Sequence, residues 1–212
     1  SWATPVVTNH GGKDIVICAF ATRVNAYDAK SGELLFFCNG LRGPRGDLAY
    51  SSPLISGDIC VSRGGYQGPS LAFRLGGKGD ITESQRLWRK EQNPQNIGSG
   101  VVLDDHYFVI NAGPGTIQCH EAKTGKEKWV DRGAGNHWAS LVLAGGNLYA
   151  TAQNGTVVVF KPNIEGFEVV SRNKIGEASN STPAFINGAI VFRSMKHLYC
   201  IGKPVQVALN VK

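Results

Sequence analysis

Apolar and polar residues alternate along this chain in bursts of five to seven residues, and the bursts recur at a near-constant spacing. One short element marks each recurrence: a small polar residue, then proline or a substitute, then two apolar residues. It reads Thr4-Pro5-Val6-Val7, Ser52-Pro53-Leu54-Ile55, Ser99-Gly100-Val101-Val102, Ser140-Leu141-Val142-Leu143 and Thr182-Pro183-Ala184-Phe185. Counted at its second residue, the element returns after 48, 47, 41 and 42 residues. Each copy is followed by a turn and a second apolar burst: residues 14–20, 57–62, 105–110, 146–151 and 188–193. A third burst follows at 23–29, 70–75, 116–122, 156–162 and 197–202. Period-two alternation bounded by Gly-rich turns predicts short half-buried strands, and helical periodicity is confined to a turn near residues 83–90.

In two repeats a fourth strand follows a turn of fixed type. Repeat one carries Asp28-Ala29-Lys30-Ser31-Gly32 before Leu34-Leu35-Phe36, and repeat three carries Glu121-Ala122-Lys123-Thr124-Gly125 before Glu127-Lys128-Trp129. Glycine permits a positive φ at such a turn, and the Ser or Thr hydroxyl bonds the local backbone. Four short strands per roughly 42 residues is the sequence form of a propeller blade. The prediction is an all-β propeller of four-stranded antiparallel blades, with repeats at about 1–46, 47–94, 95–135, 136–177 and 178–212. The fifth repeat shows three strands. Val205, Val207, Leu209 and Val211 alternate with more polar neighbours, so residues 205–211 are expected to supply its outer strand.

Composition narrows the function classes. The 212 residues are 42% hydrophobic and 18% charged, enough for a packed core and unlike a disordered chain. No apolar run approaches the ~18 residues that cross a bilayer as a helix. The net charge of +6 is scattered, with Arg42 and Arg45, Arg86, Arg89 and Lys90, and Arg193 and Lys196 as the densest spots. Nucleic-acid binding would need these gathered on one face, so no nucleic-acid partner is expected. The five cysteines, Cys18, Cys38, Cys60, Cys119 and Cys200, form no C-x-x-C pair, and four of them sit within apolar strands as small hydrophobes.

Residues 119–129 resemble the tryptophan-docking motif of PQQ-type propeller repeats, A-x-D-x-x-T-G-K-x-x-W, with Trp129 at its end. Residues 27–36 are a degenerate copy with Phe36 at the Trp position. Trp88, after the insertion at residues 76–85, and Phe167 are read into the same place in repeats two and four. The resemblance covers nearly the whole chain and is to bacterial PQQ-like repeat proteins that carry no quinone. It implies that each docking aromatic ties its blade to the neighbour's turn, and it implies a periplasmic or extracellular location. Related propellers have seven or eight blades, so the chain reads as a C-terminal portion of a larger ring, with a closed five-bladed ring as the alternative. Uncovered blade faces in a partial ring would favour self-association.

Quinoprotein dehydrogenases of that family use a vicinal disulfide and calcium-binding acids, and neither pattern is present here. Asp104-Asp105 sits where a hairpin turn belongs. His120-Glu121 precedes the docking turn, where turn chemistry explains it. The Gly-rich stretches 76–80 and 111–116 do not join a strand to a helix N-terminus and so lack the setting for phosphate binding. The sequence therefore predicts no catalytic residues, no metal and no cofactor. Asn136-His137-Trp138 leads towards the fourth anchor and the channel, which makes His137 and Trp138 the candidate partner-binding rim. The expected function is a non-catalytic scaffold whose loops meet a protein, peptide or glycan. The alternative is part of a quinoprotein-type oxidoreductase whose cofactor residues lie in absent blades.

Overall fold

The computed structural model describes residues 1–202, and the strand expected at 205–211 lies outside them. The chain forms five sheets in sequence order, antiparallel except for one two-residue strand added in parallel to the edge of the first. Sheet one contains β1 (Val6–His10), β2 (Lys13–Ala19), β3 (Arg23–Asp28) and β4 (Leu34–Asn39). Sheet two contains β5 (Leu54–Ser56), β6 (Ile59–Arg63), β7 (Ser70–Arg74) and β9 (Arg86–Lys90). Between β7 and β9 lie a two-residue strand, β8 (Gly79–Asp80), and one short helix, α1 (Thr82–Gln85). Sheet three contains β10 (Val101–Leu103), β11 (His106–Ile110), β12 (Thr116–Glu121) and β13 (Glu127–Arg132). Sheet four contains β14 (Val142–Ala144), β15 (Asn147–Thr151), β16 (Thr156–Phe160) and β17 (Val169–Lys174), and sheet five β18 (Ala184–Ile186), β19 (Ala189–Arg193) and β20 (Leu198–Ile201). This is the predicted propeller architecture, with every anchor element opening an innermost strand. Among the described residues sheet five does not close onto sheet one, and apolar side chains stay exposed on both, among them Val7 and Leu198, as in a partial propeller.

The apolar core lies between sheets, not within one. Successive side chains on a strand point to opposite faces. On β6, Cys60 packs towards sheet one while Ile59 and Val61 pack towards sheet three. On β11, Tyr107 and Val109 face sheet two, and Phe108 and Ile110 face sheet four. On β16, Val158 and Phe160 face sheet three, and Val157 and Val159 face sheet five. Strands covered on both faces lose their polar alternation, which is why β6 and β16 are buried along their whole length.

The anchor residues also bond neighbouring sheets to each other. The Ser52 backbone N–H donates to the Ser99 hydroxyl (2.9 Å), Ser99 N–H to Ser140 (3.0 Å), and Ser140 N–H to Thr182 (2.9 Å). At Ser99, Ser140 and Thr182 the hydroxyl accepts the anchor amide of the preceding repeat, which would otherwise be unpaired beside the axis.

A bulge falls at the same place in the outer pair of sheets one to four, leaving Leu35, Leu87, Lys128 and Val170 without a partner across the ladder. The residue after each bulge is the docking position: Phe36, Trp88, Trp129 and Ser171. The sequence reading of Phe167 in that role is therefore corrected. Phe167 lies before β17 and instead receives Trp129, with ring centroids 5.6 Å apart.

Candidate functional site

In an up-and-down sheet the first and third turns fall at one end, and the second turn and the link to the next sheet fall at the other. The docking turns occupy the first end. Trp88 donates its indole N–H to the Ala122 carbonyl (2.8 Å) and Trp129 donates to the Asn163 carbonyl (2.9 Å), each on the next sheet. A methyl on Gly125 would stand 2.8 Å from the Trp88 ring, so glycine there serves a close approach as well as its φ of 67°. Asp104, with φ 52°, belongs to a hairpin turn at this end as well. These tryptophans are structural; a shallow depression of about 490 Å³ at this end is lined by Lys13, Asp14, Asp28, Ala29 and Lys30 and holds no aromatic side chain.

The other end is different. Trp2, Tyr50, Tyr66, Gln95, Ile97 and Trp138 line a depression of about 570 Å³. Trp2 is 68% exposed, Tyr66 47% and Trp138 44%, values far from those of core aromatics. Trp2 and Tyr50 lie with centroids 5.4 Å apart and planes tilted by 34°, and Tyr66 meets Tyr50 edge-on at 6.2 Å. Burial, then the neighbouring Tyr66, raises the Tyr50 phenol pKa.

The repeat explains why these side chains meet. Trp2, Tyr50, Ile97 and Trp138 each stand three residues before their anchor at 5, 53, 100 and 141. The same position in each incoming loop reaches the same level beside the axis, so one column of the repeat lines one mouth. The fifth copy has Asn180 in that column, held by the Gln153 amide (2.9 Å).

Of the two rim candidates, Trp138 stands in the depression and His137 stands behind it. His137 is fully buried, with Nδ1 3.0 Å from the Thr151 carbonyl and Nε2 accepting from the Ala134 N–H at 3.4 Å. With one nitrogen accepting, the ring is neutral and Nδ1 carries the proton. Burial holds its pKa below the usual histidine value. His137 thus fixes the loop that presents Trp138. The next mouth residue sits on a similar brace: buried Arg63 donates to the Pro94 carbonyl and the Asn111 side chain, both at 3.3 Å, beneath Gln95. Ala112 N–H donates to the Gln95 carbonyl (2.7 Å).

Tyr66 is the residue sequence reasoning had no means to find. Tyr66 and Gln67 both adopt left-handed backbone, at φ 50° and 60°, which places the Tyr66 ring on Tyr50. A methyl on Gly65 would come within 2.5 Å of the Tyr50 ring, so that glycine makes the contact possible. Trp2, Tyr50 and Ile97 were findable by aligning the repeats on their anchors.

No group of three or more His, Cys, Asp or Glu side chains suited to a metal occurs among the described residues. His120, expected in turn chemistry, is buried instead and stacks on Tyr107 at 4.9 Å. The Gly-rich insertion of repeat two proves structural: Gly79 and Asp80 pair in parallel with Phe36 and Phe37 of sheet one. No helix among the described residues is long and apolar enough to cross a membrane.

A family model described as outer membrane protein assembly factor BamB matches residues 2–131. Among solved structures, BamB from Moraxella catarrhalis superposes with a TM-score of 0.71 at 14% identity, over 95% of this chain and 58% of its own. The chain therefore spans less than two thirds of that relative's length, and the likeness is one of fold. No curated protein matches by sequence.

Proposed function

Because the chain belongs to the PQQ-like propeller family of outer membrane protein assembly factor BamB, we propose that it is a non-catalytic interaction scaffold that takes part in outer membrane protein assembly from the periplasmic side. The observation that carries this reading is the aromatic mouth. Loops anchored on a rigid sheet stack present three exposed aromatics at one end, while the opposite end spends its tryptophans on holding sheets together. Large amphipathic rings set in a concave, pre-formed surface are the side chains that dominate protein interfaces. Trp138 is the proposed contact, with His137 as the residue that positions it.

Replacement of Trp138 by a photo-crosslinking phenylalanine derivative in the full-length protein, in living cells, tests this. Adducts with proteins of the outer membrane assembly machinery are expected from position 138, and none from Lys30 on the docking-turn end. Equal adducts from both positions would remove the mouth from the interface. Dye reduction that depends on added PQQ and saturates would replace the scaffold reading with the dehydrogenase one.

A further inference from the structure

The mouth carries information about the chemistry of what it holds, on the premise that the scaffold reading is right. Trp88 and Trp129 use their indole N–H groups within the fold, whereas those of Trp2 and Trp138 have no acceptor among the described residues. The depression thus offers aromatic faces and two free donors. Besides the tyrosine hydroxyls, it offers only one polar side chain, Gln95. A sugar chain presents many hydroxyls that need paired donors and acceptors, and this lining is poor in both. A strand added to a sheet edge needs an unpaired ladder, but the mouth is made of loops and the segment before β1, with no strand edge among its lining residues.

An extended segment in the polyproline conformation fits what remains. It has no internal hydrogen bonds, so its carbonyls are free to accept, and its ring side chains pack on aromatic faces. The loop beside Tyr66 carries one cation without a carboxylate partner among the described residues. Arg45 donates to the Gln67 side chain, whereas Arg42 pairs with Asp47 at 3.5 Å. The chain as a whole carries +6. Tyr66 and Gln67, both left-handed, are the central residues of the turn joining β6 to β7, closed by the Gly68 N–H donating to the Gly65 carbonyl (2.8 Å), and that turn sets this wall of the depression.

We propose that the aromatic mouth binds an extended, proline-containing peptide segment flanked by carboxylates, with Trp2, Tyr50, Tyr66 and Trp138 taking the proline rings, the free indole N–H groups donating to its carbonyls, and Arg45 meeting its acidic side chains.

Two of the chain's four tryptophans line the mouth, so indole fluorescence reports occupancy directly. The full-length protein is titrated with a peptide of Pro-Pro-Glu repeats about ten residues long. The comparison probes are the Pro-Pro-Lys peptide, a Gly-Ser-Glu peptide of the same length and charge, and cellohexaose. Saturable quenching is expected with Pro-Pro-Glu, roughly tenfold weaker with Pro-Pro-Lys, and absent with Gly-Ser-Glu and the hexasaccharide. Trp138→Ala should weaken binding at least about tenfold, and Trp138→Phe, which keeps the face and removes the donor, by less. Arg45→Glu, on an exposed loop, should invert the preference in favour of Pro-Pro-Lys. Equal affinity for Gly-Ser-Glu would leave charge alone and overturn the proposal, as would saturation by the hexasaccharide or indifference to Trp138→Ala and Arg45→Glu. Crosslinks from position 138 to assembly proteins, without binding of Pro-Pro-Glu, would refute the peptide chemistry and leave the scaffold reading standing; loss of both would refute the two together.

Discussion

The junction between sheets two and three and the junction between sheets four and five are built from equivalent inner strands, but among the described residues sheet three has four strands and sheet five three, and only the first junction is sealed by an indole. In the first, Trp88 follows the bulge, lies over Gly125 and donates to Ala122, sealing a core of Val61, Ala72, Tyr107 and Val109. In the second, the residue after the bulge is Ser171, and the buried core shrinks to Val157, Val159 and Phe192 beside a groove of about 470 Å³. Ile186, Leu198 and Ile201 of sheet five are more than half exposed. A blade is thus not stable by itself. Each sheet is held by what its neighbour places on it, and at the first junction the indole after the bulge seals the core.

The junction between sheets one and two shows that the seal has more than one chemical solution. Its docking position holds Phe36, which cannot donate to a carbonyl. The insertion in repeat two supplies the missing contacts: β8 pairs with β4, Ile81 is buried in the shared core, and the Thr82 hydroxyl accepts the Asn39 N–H at 2.9 Å. What sequence inspection sees as a long turn is a replacement for an indole.

The largest test of this comparison is Trp88→Ala, which should cost about 3 kcal/mol of unfolding free energy by empty volume and by the unpaired Ala122 carbonyl. Urea denaturation measures it, and an unchanged midpoint would mean that the indole seals nothing. Next in size is the difference between junctions themselves. Amides of β19 should exchange with deuterium at least a hundredfold faster than those of β11, equivalent to about 3 kcal/mol of local opening. Equal protection would show that sheet five is held as firmly as sheet three.

A smaller and sharper contrast lies in two equivalent glycines. Gly32 and Gly125 occupy the same turn at φ 74° and 67°, but nothing stands within 4 Å of a methyl on Gly32. Gly32→Ala should cost only the backbone strain, about 1 kcal/mol, and Gly125→Ala about 2 kcal/mol more because the Trp88 ring must move. In the Trp88→Ala background the two alanine substitutions should cost the same, and a difference that persists there would place its origin in the turn itself.

The smallest effect is a pH dependence confined to the closed junction. Burial, with Arg63 and Lys90 nearby, lowers the His120 pKa to about 3, and its Nδ1 has no hydrogen-bond partner. Its folded pKa lies below the unfolded value, so the unfolded chain binds the proton more readily. Stability should be complete above about pH 6.5 and fall as pH drops towards 3, by about 1 kcal/mol at pH 5.5. His120→Phe, which keeps a ring against Tyr107, should flatten that part of the curve, and an unchanged slope would assign it to other groups, among them His137.

The sequence alone determined the repeat, the strand order and the propeller class, because turns and period-two alternation are local properties that a chain carries wherever it goes. It also placed Trp129 and Phe36 correctly, since their turn motif is contiguous, and it brought Trp138 to notice. It misplaced Phe167, because the third turn of repeat four, at 161–168, is two residues longer than its counterparts at 28–33 and 121–126 and lacks their turn motif. Whether an apolar strand face meets a neighbour was likewise undecided. Val16 and Cys18 of β2 read like Val61 and Ala72, but only the latter pair is buried, because no sheet precedes sheet one among the described residues. Only the tertiary structure turned His137 inward and set Tyr66 and Gln95 beside the repeat column of residues 2, 50, 97 and 138. Those outcomes depend on which loops the stacking of sheets brings to one end, and that is a matter of distance in space, for which no residue type is a sign.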